Sequence, residues 1–173
     1  MLLYTNKMNS YEKEKEKDIN ICNTISTHFT LDTHLKQTKK NIVAFCFSDI
    51  LTKLCFTSKN NDIIIDYRYF KFIAVQENYN SIIKYIVHII NKVLETSSDF
   101  YFHVNLSSLT LLHIEKYFSF IRQISETMKT TFPDKLNKCY IYNAPFIFSN
   151  LFNTISIFID KKTQKKIQMI KNE

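Results

Sequence analysis

Between residues 80 and 170 the apolar positions switch repeatedly between a period near 3.6 and a period of two. Ile82, Ile86, Ile89 and Val93 follow helical spacing with Ile83 and Ile90 beside them, which predicts an amphipathic helix from about Asn80 to Leu94, with Asn80 as its N-cap. In Phe100–Leu106 the pattern alternates: Phe100, Phe102, Val104 and Leu106 fall on one side of a strand, Tyr101, His103 and Asn105 on the other. A helix follows over 109–129, capped by Ser107 or Ser108, with Leu111, Ile114, Phe118, Ile121, Ile124 or Ser125, and Met128 as its stripe. Cys139–Tyr142 reads as a short buried strand, the stretch after Pro145 as a Phe-rich helix, and Lys166–Ile170 as a last strand. Upstream, "NIVAFCFSDILTKLCF" fits a strand passing into a helix or one buried helix, and "NDIIIDYRYFKFIAV" fits one or two strands. The alternation predicts an α/β fold: a mixed, mostly parallel sheet with flanking helices.

Composition bounds what such a sheet could serve. The 173 residues suit one domain, and 45% hydrophobic with 23% charged residues is a globular balance. Residues 1–40, rich in Asn, Thr and Lys, read as a variable, partly disordered arm, which leaves 41–173 as the domain. Glycine is absent, Arg68 and Arg122 are the only arginines, and Ile, Lys, Asn, Phe and Tyr are abundant, a skew expected of an AT-rich genome such as that of a protist or a large DNA virus. That skew weakens the inference from a net charge of +7, because nucleic-acid readers rely on arginine forks. No nucleic-acid partner is expected.

The four cysteines form no CxxC pair and the histidines do not cluster with them, so reduced structural thiols in a cytosolic protein are expected, without metal or cofactor. The N-terminal apolar stretch is too short for a signal peptide, and no run approaches the ~20 apolar residues of a membrane span. The richest stretch, Phe146 to Ile159, is interrupted by polar residues, so the expectation is a soluble, cytoplasmic chain. His103 and His113 have no nucleophile or carboxylate pair near them in sequence, and no enzymatic role is expected. Tyr140 and Tyr142 share one face of their strand, where core packing and ligand contact both remain open.

Both prolines of the chain, Pro133 and Pro145, flank that strand in "FPDKLNKCYIYNAPFIF". The segment resembles the signature of CRAL-TRIO lipid-binding domains, an aromatic-Pro-Glu-Arg-Leu group, a strand, then Asn-x-Pro-x-x-aromatic. Phe132, Pro133, Leu136, Tyr140, Asn143, Ala144, Pro145 and Phe148 fall at that spacing. Downstream, "FIDKKTQKKI" resembles the end of the family's gate helix, with Asp160, Thr163, Lys166 and Ile167 in register, and "VNLSSLT" stands where the family has Val-Asp-x-x-Gly. The resemblance covers residues 60–173 and is strongest over 132–167. Asn105 replaces the usual aspartate, Asn137 and Ser107 stand where glycines are common, and the chain stops at Glu173, before the family's closing Leu-Pro and Gly-Gly segment. Asn137 tolerates the left-handed backbone that closes a helix.

The resemblance implies that the strand between the prolines belongs to a pocket sheet and that the helix after Pro145 is a mobile gate over it. Pro133 then ends the preceding helix, Pro145 sits near the gate's first turn, and Asn143 caps the gate. The implied function is non-catalytic binding, transfer or presentation of a phospholipid or small hydrophobic molecule between sheet and gate. Its pocket residues would be Phe102, Val104, Tyr140, Tyr142, Phe148, Leu151, Phe152 and Ile155. Lys161, Lys162, Lys165 and Lys166, just after the gate, are candidates for peripheral contact with anionic membrane surfaces, against a plain solvated lysine run. The alternative function is a protein-interaction scaffold that keeps the fold, binds a protein partner and holds no ligand.

Overall fold

A computed structural model describes residues 19–27, 29, 40 and 42–170. Five strands form one sheet in the order β1-β2-β3-β4-β5: Cys55–Thr57, Asp62–Asp66, Phe100–Asn105, Leu136–Tyr142 and Ile167–Met169. β1 runs antiparallel to β2, and β2 through β5 are mutually parallel. The parallel connections carry the helices Tyr67–Ile73 and Tyr79–Leu94, then Leu111–Thr131, then Phe148–Ile155, the helix for which the resemblance implies a gate. The expected mixed, mostly parallel α/β sheet is therefore the observed one.

Register decides the two faces. Ile63, Phe102, Cys139 and Ile167 pair across β2 to β5, as do Ile65, Val104 and Ile141 across β2 to β4. They form a floor packed with Ile82, Ile86 and Ile90 of the Tyr79–Leu94 helix and Tyr117 and Phe120 of the Leu111–Thr131 helix. The residues between them, Ile64, Tyr140 and Tyr142, face the other way and are covered by Cys22, Ile25 and Phe29. Residues 19–27 are helical, so packed structure begins well before residue 41.

Several local expectations are corrected. "NDIIIDYRYFKFIAV" is a strand followed by a helix, because the Asp66 carboxylate accepts the Arg68 backbone N–H at 3.0 Å and caps Tyr67–Ile73. "NIVAFCFSDILTKLCF" has its helix, Phe47–Leu54, before its strand Cys55–Thr57. The next helix starts at Tyr79 rather than Asn80, and its N-cap Asn78 donates to the Ile73 carbonyl instead of capping. The long helix has Thr110, not Ser107 or Ser108, as N-cap. Asn143 does not cap the gate, whose N-cap is Ile147; it adopts φ 52° and donates its Nδ2–H to Asn105 Oδ1 at 2.9 Å. Asn137 lies inside β4, and the left-handed residue after the long helix is Asp134.

Candidate functional site

Between the β2–β4 floor, the Leu111–Thr131 helix and the gate lies a cavity of about 290 Å³. Ile65, Val104 and Ile141 form its floor, Ile114 and Ile121 its wall, and Phe148, Phe152 and Ile155 its lid. Their spacing on an eight-residue helix puts all three lid side chains on one side, with Phe148 buried and Phe152 and Ile155 half-buried. An adjoining cavity of about 390 Å³, reached past Ile124, Cys139 and Ile159, is lined by Phe102, Met128 and Phe132 and carries Lys129, Asp134, Thr163 and Lys166.

Of the residues singled out in the sequence, Val104, Phe148, Phe152 and Ile155 meet around the first cavity and Phe102 lines the second. Leu151 belongs to the gate helix, but its side chain lies outside the described ones. Tyr140 and Tyr142 do not reach either cavity. The period of two turns Cys139 and Ile141 inward and the tyrosines to the opposite face, where the Tyr142 ring packs tilted against Phe29 with centroids 5.2 Å apart. There the His103 ring, fully buried, contacts the Tyr142 hydroxyl at 2.8 Å and Asp62 Oδ1 at 3.2 Å. Tyr142 also hydrogen-bonds Cys22, and burial is the main reason its hydroxyl is pushed up from the ordinary tyrosine range. This chain of polar groups ties β2, β3 and β4 to the 19–27 helix.

The lysine run divides. Lys162 pairs with Asp134, whose carboxyl is held below the usual range chiefly by that hydrogen bond. Lys166 donates to the Leu136 carbonyl, while Lys161 and Lys165 are exposed. Asp160 caps the short helix Lys161–Gln164 by accepting the Thr163 N–H at 2.9 Å.

Sequence reasoning missed Tyr67 as a cavity residue, and it weighed His113 as a catalyst against a packed or solvated side chain, not as part of a cavity wall. Both line the first cavity. Tyr67 opens the helix behind Asp66, whose carboxylate also takes the buried Arg68 guanidinium Nε–H at 2.9 Å and the Asn105 amide at 3.2 Å. An aspartate ahead of an aromatic run was the available signal of a helix start there. Burial, with a smaller contribution from Tyr117, raises the Tyr67 hydroxyl; burial first, then Lys71 and Lys116, lowers His113 below 6.5. The Cys139 thiol, also at this wall, is pushed up to about 12 by burial. Among the described residues no cluster of three or more His, Cys, Asp or Glu is placed to hold a metal ion.

The profile of the CRAL/TRIO domain matches residues 11–173. The "Sec14 cytosolic factor" of Schizosaccharomyces pombe is 36% identical over 67 residues, 39% of this chain and 23% of that protein. The "SEC14 cytosolic factor" of Yarrowia lipolytica is 28% identical over 81 residues, 47% of this chain and 16% of that protein. The matches thus span less than a quarter of these two relatives' length. The crystal structure of Sfh5 superposes with a TM-score of 0.58 at 15% identity, over 69% of this chain and 47% of that one, a likeness of fold.

Proposed function

The chain belongs to the CRAL/TRIO domain family, and we propose that it binds a phospholipid or small hydrophobic molecule, without catalysis, in the cavity between the sheet and the gate helix. The supporting observation is the cavity itself, walled almost entirely by hydrocarbon side chains and lidded by one face of a short helix. Removing hydrocarbon from water is worth ~0.8 kcal/mol per methylene. A lipid leaving a bilayer is already in hydrocarbon, so its exchange into such a wall is nearly balanced. The arrangement suits a protein that loads and unloads, and the reading includes peripheral contact with membranes. Among the described residues no helix is long and apolar enough to cross one.

Phe152→Asp tests this. Phe152 is half-buried on the lid, so the gate can swing its new carboxylate into water, whereas a carboxylate fixed in the core would be costly. The expected result is a native circular dichroism spectrum together with loss of lipid recovered by extraction and mass spectrometry. An unfolded variant would defeat the gate, and normal loading would defeat the cavity as the binding site.

A further inference from the structure

No polar atom of the lining residues faces the cavity under the gate helix. The Tyr117 hydroxyl is turned away to donate to the Lys71 carbonyl at 3.2 Å. The Tyr67 hydroxyl and His113 Nδ1 are shut inside the surrounding packing. These three rings therefore show a ligand only their carbon. A polar group drawn into the cavity would give up its water and meet no partner, at its full desolvation penalty.

The space is also bounded. One side is an interlocked aromatic wall, in which Phe70 packs on Tyr117 and Phe120 with ring centroids 5.0 and 4.6 Å apart, and Tyr67 meets Tyr117 edge-on at 6.3 Å. Rings packed this closely leave no slot for a chain to pass between them. The way past Ile124, Cys139 and Ile159 opens on the adjoining cavity, whose wall carries Lys129, Asp134, Asp160 and Lys166. An apolar cavity of about 150 Å³ takes one benzene ring, so the 290 Å³ here take roughly twelve carbons.

We propose that the cavity holds one compact, uncharged hydrocarbon unit of about twelve carbons, and excludes the paired acyl chains of a phospholipid. This rests on the cavity being the ligand site, and it names the class of ligand. A phospholipid brings two longer chains and a charged head group. Its second chain would have to lie in the adjoining cavity, where it would strip water from charged side chains and give them nothing in return.

The test uses the full chain incubated with phosphatidylcholine vesicles that hold an equimolar series of n-alkanes from octane to eicosane, together with the α,ω-diol of dodecane. The protein is re-isolated, and its lipid is extracted and quantified by mass spectrometry. The expected result is alkane without phosphatidylcholine. Uptake relative to vesicle content should be greatest near dodecane and lower by about tenfold or more at eicosane, whose excess methylenes must stand in water. The diol should load about tenfold less than dodecane, because one hydroxyl must be buried unpaired. Ile121→Phe, which fills the wall, should move the optimum to shorter alkanes, and Phe152→Ala, which opens the lid, to longer ones; if one variant does not fold, the other carries the comparison. Loading of phosphatidylcholine overturns the proposal and leaves the cavity reading standing. Uptake without regard to chain length, diol loading equal to that of dodecane, or an optimum that neither variant moves overturns it in the same way. Uptake of no lipid at all overturns the cavity reading, and this proposal with it.

Discussion

Asn60, Ser108, Asp134 and Asn143 hold positive φ angles in a chain that has no glycine to place there. A β-carbon makes the left-handed region cost ~1–2 kcal/mol, which Asn and Asp recover in part through short polar side chains. Serine recovers less, and the Ser108 hydroxyl, at φ 67°, takes an exposed contact of 2.9 Å from Lys71 Nζ. Ser108→Gly should therefore stabilise the protein by about 1 kcal/mol, raising Tm by roughly 2–4 °C for a domain of this size. Calorimetry checks this, and an unchanged or lower Tm would mean that the Lys71 contact outweighs the relief of strain. Where glycine is missing, the sequence does not mark which residue will turn left-handed. The resemblance pointed to Ser107 and Asn137; loop closure placed the turns at Ser108 and Asp134. Asn143 looked like a helix cap from its place before Pro145, but it joins Asn105 across two parallel strands, a partner 38 positions away that no local pattern encodes.

Elements with a clean period were legible, and those whose composition contradicts their conformation were not. β3, β4 and the helices Tyr79–Leu94 and Leu111–Thr131 lie where alternation or a 3.6 repeat put them. Tyr67–Ile73 reads "YRYFKFI", aromatic and unsuited to a helix on propensity, yet the Asp66 cap and the buried Arg68 pair impose one. Losing that helix in the reading also lost Tyr67 from the site. The turn between the gate and β5 depends on a cap in the same way. Asp160 bonds the Thr163 N–H and its side chain, which holds its carboxyl below 3.8. Asp160→Ala should destabilise the protein by about 0.5–2 kcal/mol near neutral pH. Because the folded carboxyl is the more acidic, its contribution is present above the unfolded value of about 3.8 and is lost as pH falls through the lower, folded one. The gap between wild type and variant in denaturant midpoint should accordingly narrow below pH 4; a gap that stays constant down to pH 3 would mean the cap does not act through its charge.

At the scale of the molecule the sheet is a divider with two different tasks. One face floors the cavity; the other carries the Asp62–His103–Tyr142 chain and is closed by Cys22, Ile25 and Phe29. A parallel sheet needs both faces covered, because its strands are apolar on each side. Ile64, Tyr140 and Tyr142 illustrate this by being buried on the face away from the cavity. The sequence hid the arrangement because the cover comes from a stretch rich in Asn, Thr and Lys, where three apolar residues spaced by three and four were not enough to stand out. Burial of a large apolar side chain is worth ~1.5–3 kcal/mol, so Ile25 and Phe29 together supply about 3–6 kcal/mol, out of a total stability of roughly 5–15 kcal/mol for a domain. They also shield His103 and the Tyr142 hydroxyl from water, keeping that polar chain in a dry setting. A chain beginning at Asn41 should therefore keep its β-α-β order on paper yet unfold at a much lower denaturant concentration than the full chain, with a tendency to aggregate through the bared face. Urea melts of the two chains, followed by tyrosine fluorescence and by light scattering, make the comparison. Coincident midpoints with no scattering would show that the second face stands without its helix, and that the working domain starts at residue 41 after all.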